Sequence, residues 1–265
     1  MQNRRVAVIG LAIAASVAFA SAGCGTKPEA PAGTGSRTSS PTPAQLSPKE
    51  ALLAAVKPLT TTTFKAKANF GSGAVGEAAV DPVAKSGTQK ISLIAGPVSI
   101  IADQVTVGGQ AYVKSSIKNY PNAPTLPAGW MAIDLAKVKD KSDYDLSDPD
   151  PSELATEVFQ GLGTVERSGD RGFKGTLDLT KTKKSGLVNE DTIDELKDKA
   201  AAVPFEATVD DKGRIAQFKI MVPAVGTSPA ETWDVTYSDW GTAVTATKPA
   251  SSVPAPAVFY AFFDQ

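Results

Sequence analysis

The feature that most constrains the fold of this chain is a series of short segments in which apolar and polar residues alternate. In residues 64–70, Phe and Ala alternate with Lys and Asn, which is the period-two pattern of a β-strand with one face in solvent. Turn residues separate such segments, and the clearest hairpin has Asp210-Asp211-Lys212-Gly213 between residues 205–209 and 215–222. This pattern predicts antiparallel strands joined by short turns.

Helices are predicted where apolar residues recur every three or four positions. One begins at Ser47, with a proline at its first position and Glu50 completing a capping box. A second covers 150–162 and ends at Gly163, and a third covers 191–202. The predicted strands are 64–70, 74–81, 87–95, 98–103, 110–115, 130–135, residue 165 with 173–179, 205–209, 215–222, 233–237 and 244–247. Many strands and few helices predict an α+β domain with a large curled antiparallel sheet, which the helices cover on one face.

The N-terminus has the features of an export signal. Two arginines precede an uncharged, mostly apolar run over 6–20, and Ser21-Ala22-Gly23 leads to Cys24. Small residues before a cysteine resemble the lipobox of bacterial lipoprotein precursors, in which the cysteine receives a diacylglycerol and the chain is cleaved before it. Residues 1–23 are therefore predicted to be a lipoprotein signal peptide and Cys24 the lipidated residue, which would anchor the protein on the extracytoplasmic face of the cell membrane.

Two alternatives to lipidation are open. The Ala20-Ser21-Ala22 sequence suits an ordinary signal peptidase, and the uncharged run before Cys24 is close to the length of a transmembrane anchor. The usual lipobox has Leu where this chain has Ser21. Residues 24–46 are rich in Pro, Ser, Thr and Gly, so we expect a disordered tether between Cys24 and the folded domain.

Composition excludes several kinds of site. The chain has no histidine and a single cysteine, which excludes His-dependent triads, disulfides within the chain and Cys-ligated metal sites. Without the two arginines of the signal, 25 basic residues face 28 acidic ones, a net charge of −3 that does not favour nucleic acid. The Lys114-Ser115 and Lys184-Ser185 pairs lack any catalytic motif. The prediction is a protein without enzymatic activity, cofactor or metal.

Several segments resemble one family in order and spacing. Tyr237-Ser238-Asp239-Trp240-Gly241, Ala111-Tyr112-Val113-Lys114 and the 203–215 hairpin, all behind a lipobox, resemble the LppX/LprG-type cell-envelope lipoproteins of actinobacteria. The resemblance covers residues 48–249. It implies a LolA-like fold, in which a half-barrel sheet closed by helices encloses an apolar cavity for lipid or glycolipid. It also implies a non-catalytic lipid carrier or lipid-binding protein. The partners that we expect are the membrane, through the acyl chains on Cys24, a lipid or glycolipid ligand, and an envelope transporter.

The residues offer two interpretations of the apolar positions along the strands. They line a lipid cavity, as the resemblance implies, or they fill an ordinary core, which alternating apolar residues usually do. The second alternative describes an anchored structural or interaction module of the cell envelope without lipid cargo. The candidate lining residues are Phe64, Ala66, Ala68, Phe70, Ile91, Leu93, Val98, Ile100, Phe173, Leu177, Trp233, Val235 and Tyr237.

The C-terminal residues 250–265 form a Pro-rich, apolar tail after the predicted lipid-binding domain of residues 47–249. The run Val258-Phe259-Tyr260-Ala261-Phe262-Phe263 is far too short to span a membrane, and an exposed run of this kind promotes aggregation. We therefore expect the tail to dock on its own domain.

Overall fold

A computed structural model describes residues 46–71, 73–138, 158–182, 190–226 and 229–263. The chain is an α+β protein with a large, open, curled sheet of twelve strands and few helices. The strands are β1 (Phe64–Asn69), β2 (Ala74–Asp81), β3 (Ser86–Ala95), β4 (Val98–Val107), β5 (Gln110–Lys118), β6 (Met131–Ala132), β7 (Leu162–Ser168), β8 (Gly172–Leu177), β9 (Val203–Val209), β10 (Ile215–Val222), β11 (Glu231–Ser238) and β12 (Val253–Pro254).

The sheet consists of two meanders joined at one ladder. Strands β1 to β6 are neighbours in chain order, as are β7 to β11, and β1 pairs with β11 between them. Every pair is antiparallel except that of β12 with β6, which is parallel. The prediction of an antiparallel sheet is therefore wrong at this edge, because β12 returns from the far C-terminus and runs in the same direction as β6.

Three α-helices lie wholly within the described residues: α1 (Pro48–Val56), α2 (Glu190–Leu196) and α3 (Ala257–Phe263). The predicted capping box of α1 is confirmed, since the Ser47 hydroxyl accepts from the Glu50 amide and the Glu50 carboxylate accepts from the Ser47 amide. Pro58 lies just beyond the helix, in a 3₁₀ turn over Lys57–Thr60. A second 3₁₀ turn, Lys197–Ala202, extends α2 to the end of the predicted helix.

The turns explain why the hairpins were predictable. Gly108 and Gly109 both have positive φ, of 58° and 78°, which a tight two-residue hairpin requires. In the β9–β10 turn, the Asp210 carboxylate accepts from the Lys212 and Arg214 amides and pairs with the Arg214 guanidinium at 2.6 Å. The hydrogen bonds from Arg214 and these amides lower the pKa of Asp210, although partial burial opposes them.

Three other predicted elements differ from the structure. Residues 244–247 form no strand, because β11 already has β1 and β10 on its two sides and offers no free edge. The predicted strand over 130–135 is reduced to the two residues of β6. The predicted helix over 150–162 lies mostly outside the described residues. Residues 158–160 are helical, but Leu162 already begins β7 and Gly163 lies within that strand.

Candidate functional site

One face of the sheet, here called the inner face, packs against α1 and collects all thirteen predicted lining residues. The ladders show this directly, because residues opposite one another across strands share a face. Ala66 lies opposite Tyr237 and Ala78, and Ala68 lies opposite Val235. On the next strands Ile91 pairs with Ala102 and Leu93 with Ile100. The alternation therefore predicted the shared face, while the assignment of these residues to a lipid cavity stays a prediction.

The inner face divides into three parts according to what covers it. Beneath α1 and α2 lies a continuous core that includes Phe64, Ala66, Phe173 and Leu177, each at most 3% exposed. Aromatic rings fill this core closely: the Phe159 and Phe218 ring centroids are 5.1 Å apart. The four predicted lining residues in this part are packed as core side chains.

The second part lies at the β5–β6 edge, where the C-terminal tail docks. Phe259 and Tyr260 of α3 are 3% and 6% exposed and pack with Ala111 and Val113 of β5. The Tyr260 hydroxyl accepts a hydrogen bond of 2.9 Å from the Asp134 amide. The prediction that the tail docks on its own domain is confirmed for these residues.

The third part is the inner face of β2 to β5, here called the β2–β5 face. A third cluster of buried residues occupies it and extends to β1. No residue of a described helix belongs to this cluster or packs against it. Its inner positions are Ala74, Gly76, Ala78, Val80, Gly87, Gln89, Ile91, Leu93, Val98, Ile100, Ala102, Gln104, Thr106, Ser115 and Ile117; Ala111 and Val113 belong to the tail-covered part, and Ala102 packs against that part.

Four of the predicted lining residues belong to this third cluster: Ala68, Phe70, Leu93 and Ile100. Trp233 and Val235 pack against both this cluster and the helix-covered core, and Tyr237 packs against the core alone. Ile91 and Val98 are half-buried positions of the β2–β5 face. The structure thus separates the predicted lining residues into a helix-covered group and a group without helix contacts, and β1 contributes Phe64 and Ala66 to the first and Ala68 to the second.

The β2–β5 face also has small and polar residues that the predicted lining set omits. Ala74, Gly76 and Ala78 are buried small residues, so β2 presents little side-chain bulk to the inner face. Its polar members are Gln89, Gln104, Thr106 and Ser115. The regular alternation of residues 74–81 was the signal that could have placed Ala78 beside Ala66, since one turn fixes the register of the hairpin.

The opposite, outer face is charged. Along one row of the ladder, Lys67 lies opposite Glu77, which lies opposite Lys90, which lies opposite Asp103. The Lys67 ammonium and the Glu77 carboxylate are 3.0 Å apart and both are largely exposed. This row of the outer face is therefore solvated, whereas Val105 and Tyr112, which face each other on the same side of β4 and β5, are 9% and 5% exposed.

The candidate catalytic groups are not brought together. Lys114 and Ser115 are adjacent on β5, so their side chains point to opposite faces of the sheet and cannot form a Ser–Lys pair. Burial raises the pKa of Tyr237, which keeps its phenol protonated. In the described part of the chain, no three His, Cys, Asp or Glu side chains are placed to hold a metal ion. Lys184 and Ser185 lie outside the described residues.

Trp240 lies at the end of the helix-covered core. Its ring centroid is 5.3 Å from that of Phe64, and the Arg214 guanidinium lies 5.3 Å from the Trp240 ring. Its buried indole N–H has no hydrogen-bond partner among the described residues. These contacts agree with the prediction that Trp240 packs against the sheet.

Cys24, the signal segment and the tether lie outside the described residues. Every helix within the described ranges is too short or too polar to cross a bilayer. Comparison of the chain with models of known protein families, and with curated proteins, gives no match.

Proposed function

We propose that this protein is a membrane-anchored, extracytoplasmic lipoprotein that binds or shuttles a lipid or glycolipid, without catalysis. In this proposal Cys24 carries the acyl chains, the Pro-rich tether spans the distance to the membrane, and the sheet forms a LolA-like half-barrel of the LppX/LprG type. The chemistry expected of such a carrier is an apolar surface large enough for acyl chains, with charges kept away from it.

The observation that carries the proposal is the β2–β5 face. It is uncharged at every inner position and rich in small residues, and no residue of a described helix packs against its cluster of buried residues. An acyl chain is a suitable occupant because it gains by leaving water and requires only apolar contact. We place the ligand between the helix-covered core and α3.

A second candidate function is an anchored interaction module with a filled core. The dense aromatic packing beneath α1 and α2 favours it, and so does the burial of Leu93 and Ile100, which are 8% and 3% exposed. If this alternative holds, the third cluster is complete without a ligand.

The test uses the acylated full-length protein in phosphatidylcholine vesicles that contain a trace of diacylglycerol with a photoreactive group in one acyl chain. We expect crosslinks at inner-face residues such as Ile91, Leu93 and Ile100. Ala78→Phe should reduce crosslinking at least ~5-fold, because a large side chain would occupy the space of the acyl chain. Ala79→Phe is the matched control, since Ala79 is the next residue on β2 and faces the outer side.

Two results would contradict lipid binding at this face. In the first, crosslinks map only to the outer face or to none of the domain. In the second, Ala78→Phe and Ala79→Phe reduce crosslinking equally. Absence of any crosslink with the domain intact would instead support the interaction module.

A further inference from the structure

Two buried polar atoms on the β2–β5 face lack hydrogen-bond partners. They are the Gln89 side-chain nitrogen on β3 and the Ser115 hydroxyl on β5, and neither has a partner among the described residues. A buried polar group without a partner destabilises a protein, so native structures rarely retain one without a reason such as a ligand or a water. Both atoms therefore require a partner that the described chain does not supply.

The two residues lie in adjacent rows of the same face. Gln89 is opposite Gln104 on β4, and Ser115 is opposite Ala102, one row further along β4. The side-chain nitrogen of the facing Gln104 donates to the Thr106 hydroxyl at 3.4 Å, and the Gln104 side chain makes no hydrogen bond with the Gln89 nitrogen. Gln89 and Ser115 thus lie on either side of Ala102, a small residue of β4 that packs against the tail-covered part.

Charge is absent from this face. Among the described residues of β1 to β5, no inner position carries a charged side chain, whereas the outer positions carry both lysines and acids. An anionic group placed beside Gln89 and Ser115 would lose its hydration without gaining a cation from the inner positions of β1 to β5, which is strongly unfavourable. An uncharged ester or hydroxyl group suits the two orphaned groups, since an amide N–H donates and a hydroxyl both donates and accepts.

We propose that Gln89 and Ser115 bind the uncharged ester or hydroxyl groups of the lipid and so select neutral lipids over anionic ones within this face. This inference rests on the proposed lipid-binding function and adds the class of ligand and the two residues that recognise it. The acyl chains of that lipid lie along Ile91, Leu93 and Ile100, and its polar linkage lies between β3 and β5.

The test measures competition against the photoreactive diacylglycerol, with the acylated protein in phosphatidylcholine vesicles. The competitors are dioctanoylglycerol, dioctanoyl phosphatidate and hexadecane, which share apolar chains but differ in their polar groups. We expect dioctanoylglycerol to compete at least ~10-fold more effectively than the phosphatidate, because the phosphate has no cation to pair with. Gln89→Met and Ser115→Ala should each weaken dioctanoylglycerol about 5- to 10-fold, the effect of one lost hydrogen bond.

Hexadecane serves as the control for damage to the face, since it makes no hydrogen bond and should compete equally against the original protein and both variants. Lys90→Met and Ser116→Ala are the matched outer-face variants, since Lys90 follows Gln89 and Ser116 follows Ser115 in the chain. Neither variant should change competition by any of the three competitors. The inference is overturned if dioctanoyl phosphatidate competes as well as or better than dioctanoylglycerol. It is also overturned if Gln89→Met and Ser115→Ala weaken competition by all three competitors equally, or by none of them. If the photoreactive lipid labels no inner-face residue of the original protein, the proposed function itself fails.

Discussion

Replacing Phe259 with alanine should release the C-terminal tail from the sheet while the rest of the domain stays folded. The tail is attached through the two residues of β12 and through α3, and the Phe259 side chain of α3 is only 3% exposed. A short segment held by few contacts can open locally, without global unfolding. Removing a buried Phe side chain costs about 3–5 kcal/mol.

That cost sets the size of the expected change. If the tail opens on its own, the amides it protects should exchange with solvent on the order of 10²- to 10³-fold faster in Phe259→Ala. The reporters are the Val253 and Ala255 amides, which donate to the Trp130 and Ala132 carbonyls, each at 3.0 Å. Hydrogen exchange of these amides, compared with amides of β9 and β10, is the assay.

Val258→Ala is the matched control, because Val258 is the preceding residue of α3 and is 44% exposed. Its substitution should leave exchange unchanged within the range typical of surface positions, about 0.5 kcal/mol. Local opening of the tail is refuted if Phe259→Ala leaves the Val253 and Ala255 amides as protected from exchange as before. Local opening is also refuted if hydrogen exchange of the β9 and β10 amides accelerates to the same degree, because the tail would then unfold together with the rest of the domain.

Two further predictions concern the β9–β10 turn and the N-terminus. Asp210→Asn should destabilise the protein at neutral pH, since the pKa of Asp210 is lowered in the fold. Because the pKa of Asp210 is lower in the folded chain than its unfolded value near 3.8, ionised Asp210 stabilises the fold above that value. This stabilisation is lost as the pH falls through the folded pKa. The difference in free energy of unfolding between the original protein and Asp210→Asn, measured by denaturant titration, should therefore shrink below about pH 4. A difference that stays constant down to pH 2 would refute the stabilising role of the Asp210 carboxylate. For the N-terminus, the intact mass of the membrane-extracted protein should correspond to a chain that begins at Cys24 and carries acyl groups, and an unmodified Cys24 would exclude lipid anchoring.

Local chemistry explains which parts of the fold were predictable from sequence. The capping box at Ser47, the glycines of the β4–β5 turn and the Asp210 turn each specify their own geometry within a few residues. Alternation then assigns the side chains of each strand to one of two faces. For this reason the common face of Phe64, Ile91 and Trp233 could be inferred without knowing which strands are neighbours.

Features that depend on distant parts of the chain were not predictable in this way. The parallel pairing of β12 with β6 joins segments more than a hundred residues apart, and no local signal at Val253 indicates its partner. The strand expected at 244–247 fails for the same reason, since its absence follows from the occupancy of both sides of β11. The division of the inner face depends on where α1, α2 and α3 dock, and Gln89 and Ser115 stand out only once their neighbours are known.

The junction of the two meanders has a consequence for how the protein is made. Lys65 pairs with Ser238 across the β1–β11 ladder, so the two halves of the sheet cannot join until nearly the whole chain has been synthesised. Contacts of such long sequence separation form slowly, because a large loop must close first. Until then the edge of β1 has unpaired backbone groups, which invite association with other chains. We expect the newly made protein to be most prone to aggregation in the interval before β11 arrives, and substitutions that weaken this ladder to reduce yield more than final stability.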